Sequence, residues 1–143
     1  MAALAADRNF KLRAGGYSRT IVAKLAAATK IYRGALVGKN AAGFVVPASD
    51  TAGLKIIGIA DEQVDNTAGA AGDKEIRLTT GVAKFLNFGA DPVVQADMHG
   101  FCVVADDNTV RNAGAVNDIR AGIVELIESD GVWVYVDPII ANS

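Results

Sequence analysis

Short runs of Val, Ile, Thr and aromatic residues alternate with Gly, Asn and Asp along the chain. This pattern is typical of strands joined by tight turns, and no amphipathic helical period persists. One helical turn is predicted, over Val93 to Met98. Strands are predicted at Thr20–Ala26, Lys30–Tyr32, Ala35–Lys39, Gly43–Pro47, Leu54–Ala60, Lys74–Thr80, Gly81–Asn87, Phe101–Ala105, Thr109–Arg111, Ala121–Ile127 and Val132–Val136. We therefore predict an all-β fold, either a small β-barrel or a β-sandwich.

The central third of the chain predicts a pair of strands joined by a loose loop. The apolar strand Leu54–Ala60 is followed by the small-residue loop Asn66–Asp73, and the chain returns over Lys74–Phe85. Gly34 and Gly81 lie inside apolar runs, where glycine usually marks a bulge or a sharp bend. Such bends would let one ribbon pass from one sheet to another.

The clearest hairpin lies near the C-terminus, where Asp130-Gly131 separates two apolar strands. Side chains alternate across a strand, so Val132, Val134 and Val136 are predicted to face the core. Trp133 and Tyr135 then share the opposite face. We predict that this aromatic face closes the end of the barrel or contacts a second copy or another partner.

Residues 1–19 have mixed polarity, no sustained period and the pair Gly15-Gly16, which predicts an extended N-terminal arm ahead of a single β domain over 20–143. Residues 1–40 carry eight basic residues and one acidic residue, a net charge of +7, whereas residues 41–143 carry six and fifteen, a net charge of −9. Such asymmetry indicates docking on an acidic partner. The predicted contacts are Arg8, Lys11, Arg13 and Arg19. Alternatively, these cations are solvated guards of strand edges.

The length and composition of the chain exclude several classes of protein and of partner. A chain of 143 residues with 51% hydrophobic residues forms one domain, and its single cysteine permits no internal disulfide. No apolar run approaches the roughly 20 residues that span a bilayer, and no signal peptide is recognisable, so we expect a soluble protein made in the cytoplasm, with no membrane partner. The sequence pI near 5.3 and the few aromatics among the basic residues argue against a nucleic-acid partner.

Catalytic chemistry could be built only around His99, the sole histidine, and Cys102, which follows three positions later. No orienting group or oxyanion site accompanies this pair in the sequence, so both residues are predicted to serve packing. We expect no enzyme activity, no catalytic residue, no small-molecule substrate and no cofactor.

Two acidic clusters lack the ligand spacing of a calcium loop. Asp106 and Asp107 are predicted to cap a turn, and Asp61, Glu62 and Asp65 to lie at a solvated loop entry, although calcium held between subunits remains an alternative. The segment Gly69–Lys74 lacks the Gly-Lys-Ser/Thr ending of a phosphate-binding loop.

The order of strands and glycine turns resembles the capsid decoration, or cement, proteins of tailed bacteriophages, over most of residues 20–137. The segments that carry the resemblance are Ile31–Val37, Gly43-Phe44 with Pro47-Ala48, Gly53–Lys55 with Gly58–Ala60, Val64–Thr67, Gly81-Val82, Asp106-Asp107 with Thr109-Val110, Ala121–Val124 and Gly131–Val134.

The resemblance implies a structural protein on the outer surface of an assembled phage head. Its partners would be the major capsid protein and further copies of itself, as a dimer or trimer, and it would tie neighbouring capsid subunits together. The resemblance supplies no catalytic residue. Alternatives are a tail-tube or head-completion protein and, in a different class, a β-barrel that binds a small ligand in an apolar interior.

Overall fold

The computed structural model describes residues 3–13 and 18–142, and strands dominate this part of the chain. In chain order they are β1 (Thr20–Lys24), β2 (Thr29–Ile31), β3 (Leu36–Lys39), β4 (Val45–Pro47), β5 (Lys55–Ala60), β6 (Val64–Asn66), β7 (Glu75–Thr79), β8 (Gly81–Asn87), β9 (Phe101–Asp106), β10 (Thr109–Arg111), β11 (Arg120–Glu128) and β12 (Gly131–Val136). A 3-10 turn (Gln95–Asp97) and helix α1 (Pro138–Ala141) complete the described elements. The prediction of an all-β fold is confirmed.

The first half of the chain builds an antiparallel five-stranded sheet in the order β1-β7-β5-β3-β4. Leu25, which directly follows β1, forms a parallel bridge to Val45 at the start of β4, so the two outer strands meet at one end. Strands β2 and β6 pair separately. One buried cluster belongs to this half: Leu25, Ile31, Ala35, Val37, Val45, Ala60, Ile76 and Leu78.

The second half closes into a five-stranded barrel, β10-β8-β12-β11-β9. Its neighbouring strands are antiparallel except β10 and β8. Inward-facing side chains of a small barrel fill its interior. Val132, Val134 and Val136 are fully buried, as predicted, and pack in one cluster with Phe85 and Val104. The barrel interior is therefore a packed core.

A single buried residue joins the two halves between β7 and β8. Thr80 lies between Thr79, the last residue of the sheet strand, and Gly81, the first residue of the barrel strand. Gly81 has a φ of 137°, a conformation that favours glycine. The predicted change of sheet at Gly81 is confirmed.

Some local features differ from the predictions. Strand β6 was not predicted because Val64–Asn66 is short and contains an acidic residue. The helical turn predicted over 93–98 is present at Gln95–Asp97, but it is not alone. Helix α1 was also missed, although its signal is present: Asp137 Oδ1 accepts a hydrogen bond from Ile139 N (2.8 Å), and Pro138 opens the helix.

The loop predicted to be loose is held by hydrogen bonds. Asn66 Nδ2 donates to the main-chain oxygens of Ala26 and Ala70 (both 3.0 Å). Asp73 Oδ2 accepts from Ala70 N (2.9 Å). Asp65 of β6, Asp73 of the loop and Lys74 line the small cavity beside the loop, and its two carboxylates make it a poor environment for phosphate.

Candidate functional site

The N-terminal arm lies along its own domain in the described range 3–13. It has no helix or strand there, yet its backbone is fixed at three points. Leu4 N donates to Asp107 Oδ1 (2.9 Å), Arg8 N to Arg33 O (3.0 Å) and Arg13 N to Val82 O (2.8 Å). The arm therefore bridges the turn before β3 and the barrel. The predicted glycine pair Gly15-Gly16 lies outside the described residues.

The arm completes one edge of barrel strand β8. At one end of this edge, Leu86 N and Phe88 N donate to the oxygens of Asn108 and Val110, in and beside β10. At the other end of this edge the arm supplies the hydrogen-bond donors. Val82 O accepts from Arg13 N, and Lys84 O accepts from Arg8 Nη1 (2.9 Å). An open strand edge is a site of unwanted pairing, and the arm covers this one.

Arg8 is the centre of the contact between arm and domain. Besides the bond to Lys84 O, its Nε donates to Gly34 O (2.8 Å). Its guanidinium carbon lies 4.9 Å from the Phe85 ring centre and 5.7 Å from that of Phe10. These are cation–π distances. The guanidinium thus joins the sheet, the arm and the barrel.

Gly34 makes room for this side chain. Its φ is 89°, and a Cβ built on it would lie 2.3 Å from Arg8 Cγ. Burial lowers the pKa of Arg8, an effect that Asp107 opposes. Burial also raises the pKa of Asp107, whose carboxylate accepts the hydrogen bond from Leu4 N. Asp107, which was predicted to cap a turn, therefore holds the arm with its side chain.

Charged side chains form a cluster around Trp133 on the outside of the barrel. Arg13 and Lys84 lie over its ring, at 5.7 and 5.9 Å from the centre. Its indole Nε1 donates to Glu128 Oε1 (2.7 Å). Lys84 Nζ also contacts Glu128 Oε1 (3.3 Å) and Asp130 Oδ1. The predicted aromatic face is therefore already occupied, at Trp133, by side chains of the same chain.

The ion pairs of this cluster shift the pKa values in the expected directions. Hydrogen bonding to Asp130, and then to Glu128, raises the pKa of Lys84. The pKa of Asp130 is lowered by Lys84, and that of Glu128 by the Trp133 indole and then by Lys84. Tyr135, the other predicted aromatic, is half-buried on the same strand.

A groove of about 660 Å³ lies between the arm and the barrel. Cations, aromatic rings and an exposed leucine surround it. Its lining is Arg8, Asn9, Phe10, Lys11, Arg33, Lys84, Phe85, Leu86, Asn108, Asp130 and Trp133. The two groups of residues predicted separately as contacts, the arm cations and Trp133, meet at this groove.

The predicted arm contacts have different environments. Arg8 is engaged within the chain, and Arg13 lies over Trp133. Lys11 is exposed at the groove, and no ion pair or hydrogen bond joins its ammonium to another of the described residues. Arg19 is half-buried next to β1, where its main chain pairs with Thr80: Arg19 N donates to Thr80 Oγ1 and Arg19 O accepts from Thr80 N, both at 3.0 Å.

Lys84, Glu128 and Asp130 were not recognised from the sequence as parts of this site. One signal was available: Lys84 interrupts the apolar run Val82–Phe85 of a barrel strand. A lysine there has to lie on the outer face, beside the cross-strand neighbour Trp133. The arm contacts left no such signal, because Arg8 and Lys84 are 76 positions apart.

His99 and Cys102 have structural environments. Cys102 is fully buried, and burial raises the pKa of its thiol to about 12. A thiol with such a pKa stays protonated near neutral pH and is a poor nucleophile. His99 occupies a turn with a φ of 67°, and its N donates to Val124 O (2.9 Å). Cys102 fits the predicted packing role, whereas the exposed His99 occupies a turn and its side chain does not pack in the core.

The acidic clusters are engaged in local contacts. Asp61 pairs with Arg33 (3.8 Å), and Glu62 Oε2 accepts from Arg77 N (2.9 Å). Asp106 Oδ1 caps its turn by accepting from Asn108 N (2.9 Å). Within residues 3–13 and 18–142, no three His, Cys, Asp or Glu side chains are grouped to hold a metal ion. Calcium held between subunits stays an alternative that the described residues do not test.

Comparison with known protein families, curated proteins and solved structures finds no match to this chain. In the described part of the chain, neither helix has the length and apolar character needed to cross a bilayer.

Proposed function

We propose that the chain is a capsid decoration protein of a tailed bacteriophage. It binds the outer surface of an assembled head and bridges neighbouring major capsid subunits. It acts as a structural protein without catalytic residues or a cofactor. Binding to the assembled lattice alone stabilises that lattice by mass action, and many weak contacts add through multivalency.

The observation that carries this proposal is the groove between the arm and the barrel. Here Lys11 and Arg33, from the basic N-terminal part of the chain, flank an open surface next to Phe10 and Leu86. Leu86 is 44% exposed. A partner with acidic side chains around an apolar contact would match this surface. We place the capsid contact here, with the exposed Lys11 as its main cation.

The β-barrel that binds a small ligand in its interior is the weaker alternative. Such a protein needs a roomy apolar cavity with a few convergent polar groups. Instead, Phe85, Val104, Val124, Val132 and Val134 fill the centre, each at most 2% exposed. The groove lies outside this core. Its open shape and its cations suit a protein surface better than an enclosed ligand.

The test is binding to expanded, undecorated heads of the phage that encodes the chain, measured by cosedimentation and by electron microscopy of the particles. We expect saturable binding at symmetry-related sites of the head exterior, weakening as salt screens the rim charges. Density on the tail or at the head vertex would instead assign the tail-tube or head-completion role. Failure to bind heads would overturn the proposal.

A charge reversal at Lys11 tests the place of contact. Lys11→Glu should weaken head binding by about tenfold or more, since one rim charge pair and its repulsive replacement together are worth about 1–2 kcal/mol. Lys55→Glu is the matched control, because Lys55 is also an exposed lysine and lies on β5, outside the groove. Equal effects of both changes would place the contact elsewhere.

A further inference from the structure

Among residues 3–13 and 18–142, no strand covers the outer edge of β1. Strand β1 pairs with β7 on one side, and no described strand pairs with its other side until the bridge between Leu25 and Val45. The strand is Thr-Ile-Val-Ala-Lys, which contains three β-branched residues and no proline or glycine. Lys24 is the one charged residue of β1, and such a charge on an edge strand disfavours pairing with other chains.

The hydrogen-bond pattern shows which residues face this edge. Thr80 N donates to Arg19 O, and Leu25 N donates to Lys74 O, both at 3.0 Å in the register of the β1–β7 ladder. Because antiparallel pairs alternate, the odd-numbered residues of β1 bond to β7. Thr20, Val22 and Lys24 therefore direct their N–H and C=O groups away from the sheet. Ala26 N, next on this side, donates to Val45 O (3.1 Å).

The side chains of the same three residues are exposed. Val22 is 59% exposed at the centre of the strand, whereas Ile21 and Ala23 pack on the sheet core. An exposed β-branched residue on an open, regular edge strand favours pairing with another strand.

We propose that β1 pairs with β1 of a second copy of this chain, antiparallel about a two-fold axis at Val22. In this register Val22 lies opposite Val22 of the other copy, and Thr20 lies opposite Lys24. The sequence is thus complementary to itself: the apolar residue meets itself, and no like charges are directly opposed. Three residue pairs would exchange about six hydrogen bonds, since each pair facing the edge forms two.

The charge pattern favours a second copy over a foreign acidic strand. A foreign strand would find one cation here, Lys24, at the end of a strand whose other residues are uncharged. The pairing joins about five residues a side, far fewer than the 20–30 of a standard interface, so it forms a weak dimer in solution. An array of bound copies would strengthen it. This inference does not depend on the proposed function.

Cysteine crosslinking under a glutathione redox buffer tests the register in solution, without any capsid. In the proposed dimer the two Val22 Cα atoms lie about 5.5 Å apart, within disulfide range. Thr20→Cys is the matched control, because two Thr20 residues would lie about 13 Å apart along the strands, too far to bridge. The native Cys102 is fully buried and does not compete.

We expect Val22→Cys to form a disulfide-linked dimer about tenfold faster or more than Thr20→Cys. The double variant of Thr20→Cys with Lys24→Cys should also crosslink, because it places a thiol opposite a thiol. Absence of the Val22→Cys dimer, or equal rates for Val22→Cys and Thr20→Cys, would overturn the proposal. All three sites are exposed, so folding can be verified by circular dichroism before oxidation.

Discussion

Arg8 Nη1 donates a hydrogen bond to the main-chain oxygen of Lys84, 76 residues further along the chain. With the bond from Arg8 Nε to Gly34 O, it fixes the N-terminal arm between the sheet and the barrel. The arm is thus part of the folded domain over residues 3–13. A basic segment that the sequence presents as a free docking arm has a structural task as well.

Replacing Arg8 should destabilise the fold. Arg8→Met removes two charge-assisted hydrogen bonds and leaves the buried Asp107 without its nearby cation, which should lower the free energy of unfolding by about 2–4 kcal/mol. Urea denaturation measures the difference. Lys11→Met is the control and should change stability by less than about 0.5 kcal/mol, because Lys11 is exposed. Equal effects would contradict the structural role of Arg8.

Gly34→Ala should cost more than Gly43→Ala. Both glycines have φ values near 90°, so alanine is strained at either position by about 1–2 kcal/mol. A Cβ at Gly43 meets open space, whereas one at Gly34 collides with Arg8 Cγ, which should add about 1–3 kcal/mol. Thermal denaturation of both variants measures this. The extra cost should vanish when Arg8 is also replaced by Ala, and additive effects would refute the contact.

Proline should distinguish the two sides of β1. Val22→Pro removes an N–H that points to the open edge, and edge strands tolerate proline at such positions. Ala23→Pro removes an N–H that faces β7 opposite Ile76, which should cost at least about 1–3 kcal/mol more. Chemical denaturation of the two variants compares them. If Val22→Pro proved the more harmful, the assignment of the edge-facing residues would be reversed.

The stability of the fold at low pH should depend on the ion pair between Lys84 and Asp130, beside Trp133. Lys84 lowers the pKa of Asp130, so this carboxylate stabilises the fold above its unfolded pKa near 3.8, and the contribution is lost as pH falls through the lower folded pKa. Asp130→Asn has no such contribution to lose. Unfolding followed from about pH 5 to pH 2 should therefore show a smaller loss of stability in the variant than in the native chain. Parallel curves would contradict this.

The sequence predicted correctly those elements that are determined by turn residues or by the alternation of side chains within one segment. The pair Asp130-Gly131 and the alternation of Val132, Val134 and Val136 gave the last hairpin and its buried face, and Gly81 gave the change of sheet. The helix signal at Asp137-Pro138 was readable but missed. Short strands such as β6 are stabilised mainly by their partner, here β2, and leave a weak sequence signal.

The candidate site was predictable only in parts. Arm cations and Trp133 were recognised separately, because each rested on charge or alternation nearby in the sequence. The arm cations and Trp133 come together through contacts between segments far apart in the sequence, such as that of Arg13 with the Trp133 ring. No local pattern specifies that an arm closes the edge of β8, since the same cations could equally have been solvated.

The passage through Thr80 has a mechanical consequence. One uninterrupted ribbon runs from β7 through this buried residue into β8, and Thr80 is itself bonded to Arg19, at the base of the arm. Tension applied to the sheet is therefore carried by the covalent backbone straight into the barrel wall, with no slack loop between them. A movement of one half therefore reaches the other through a single residue, because no loop lies between them to absorb it.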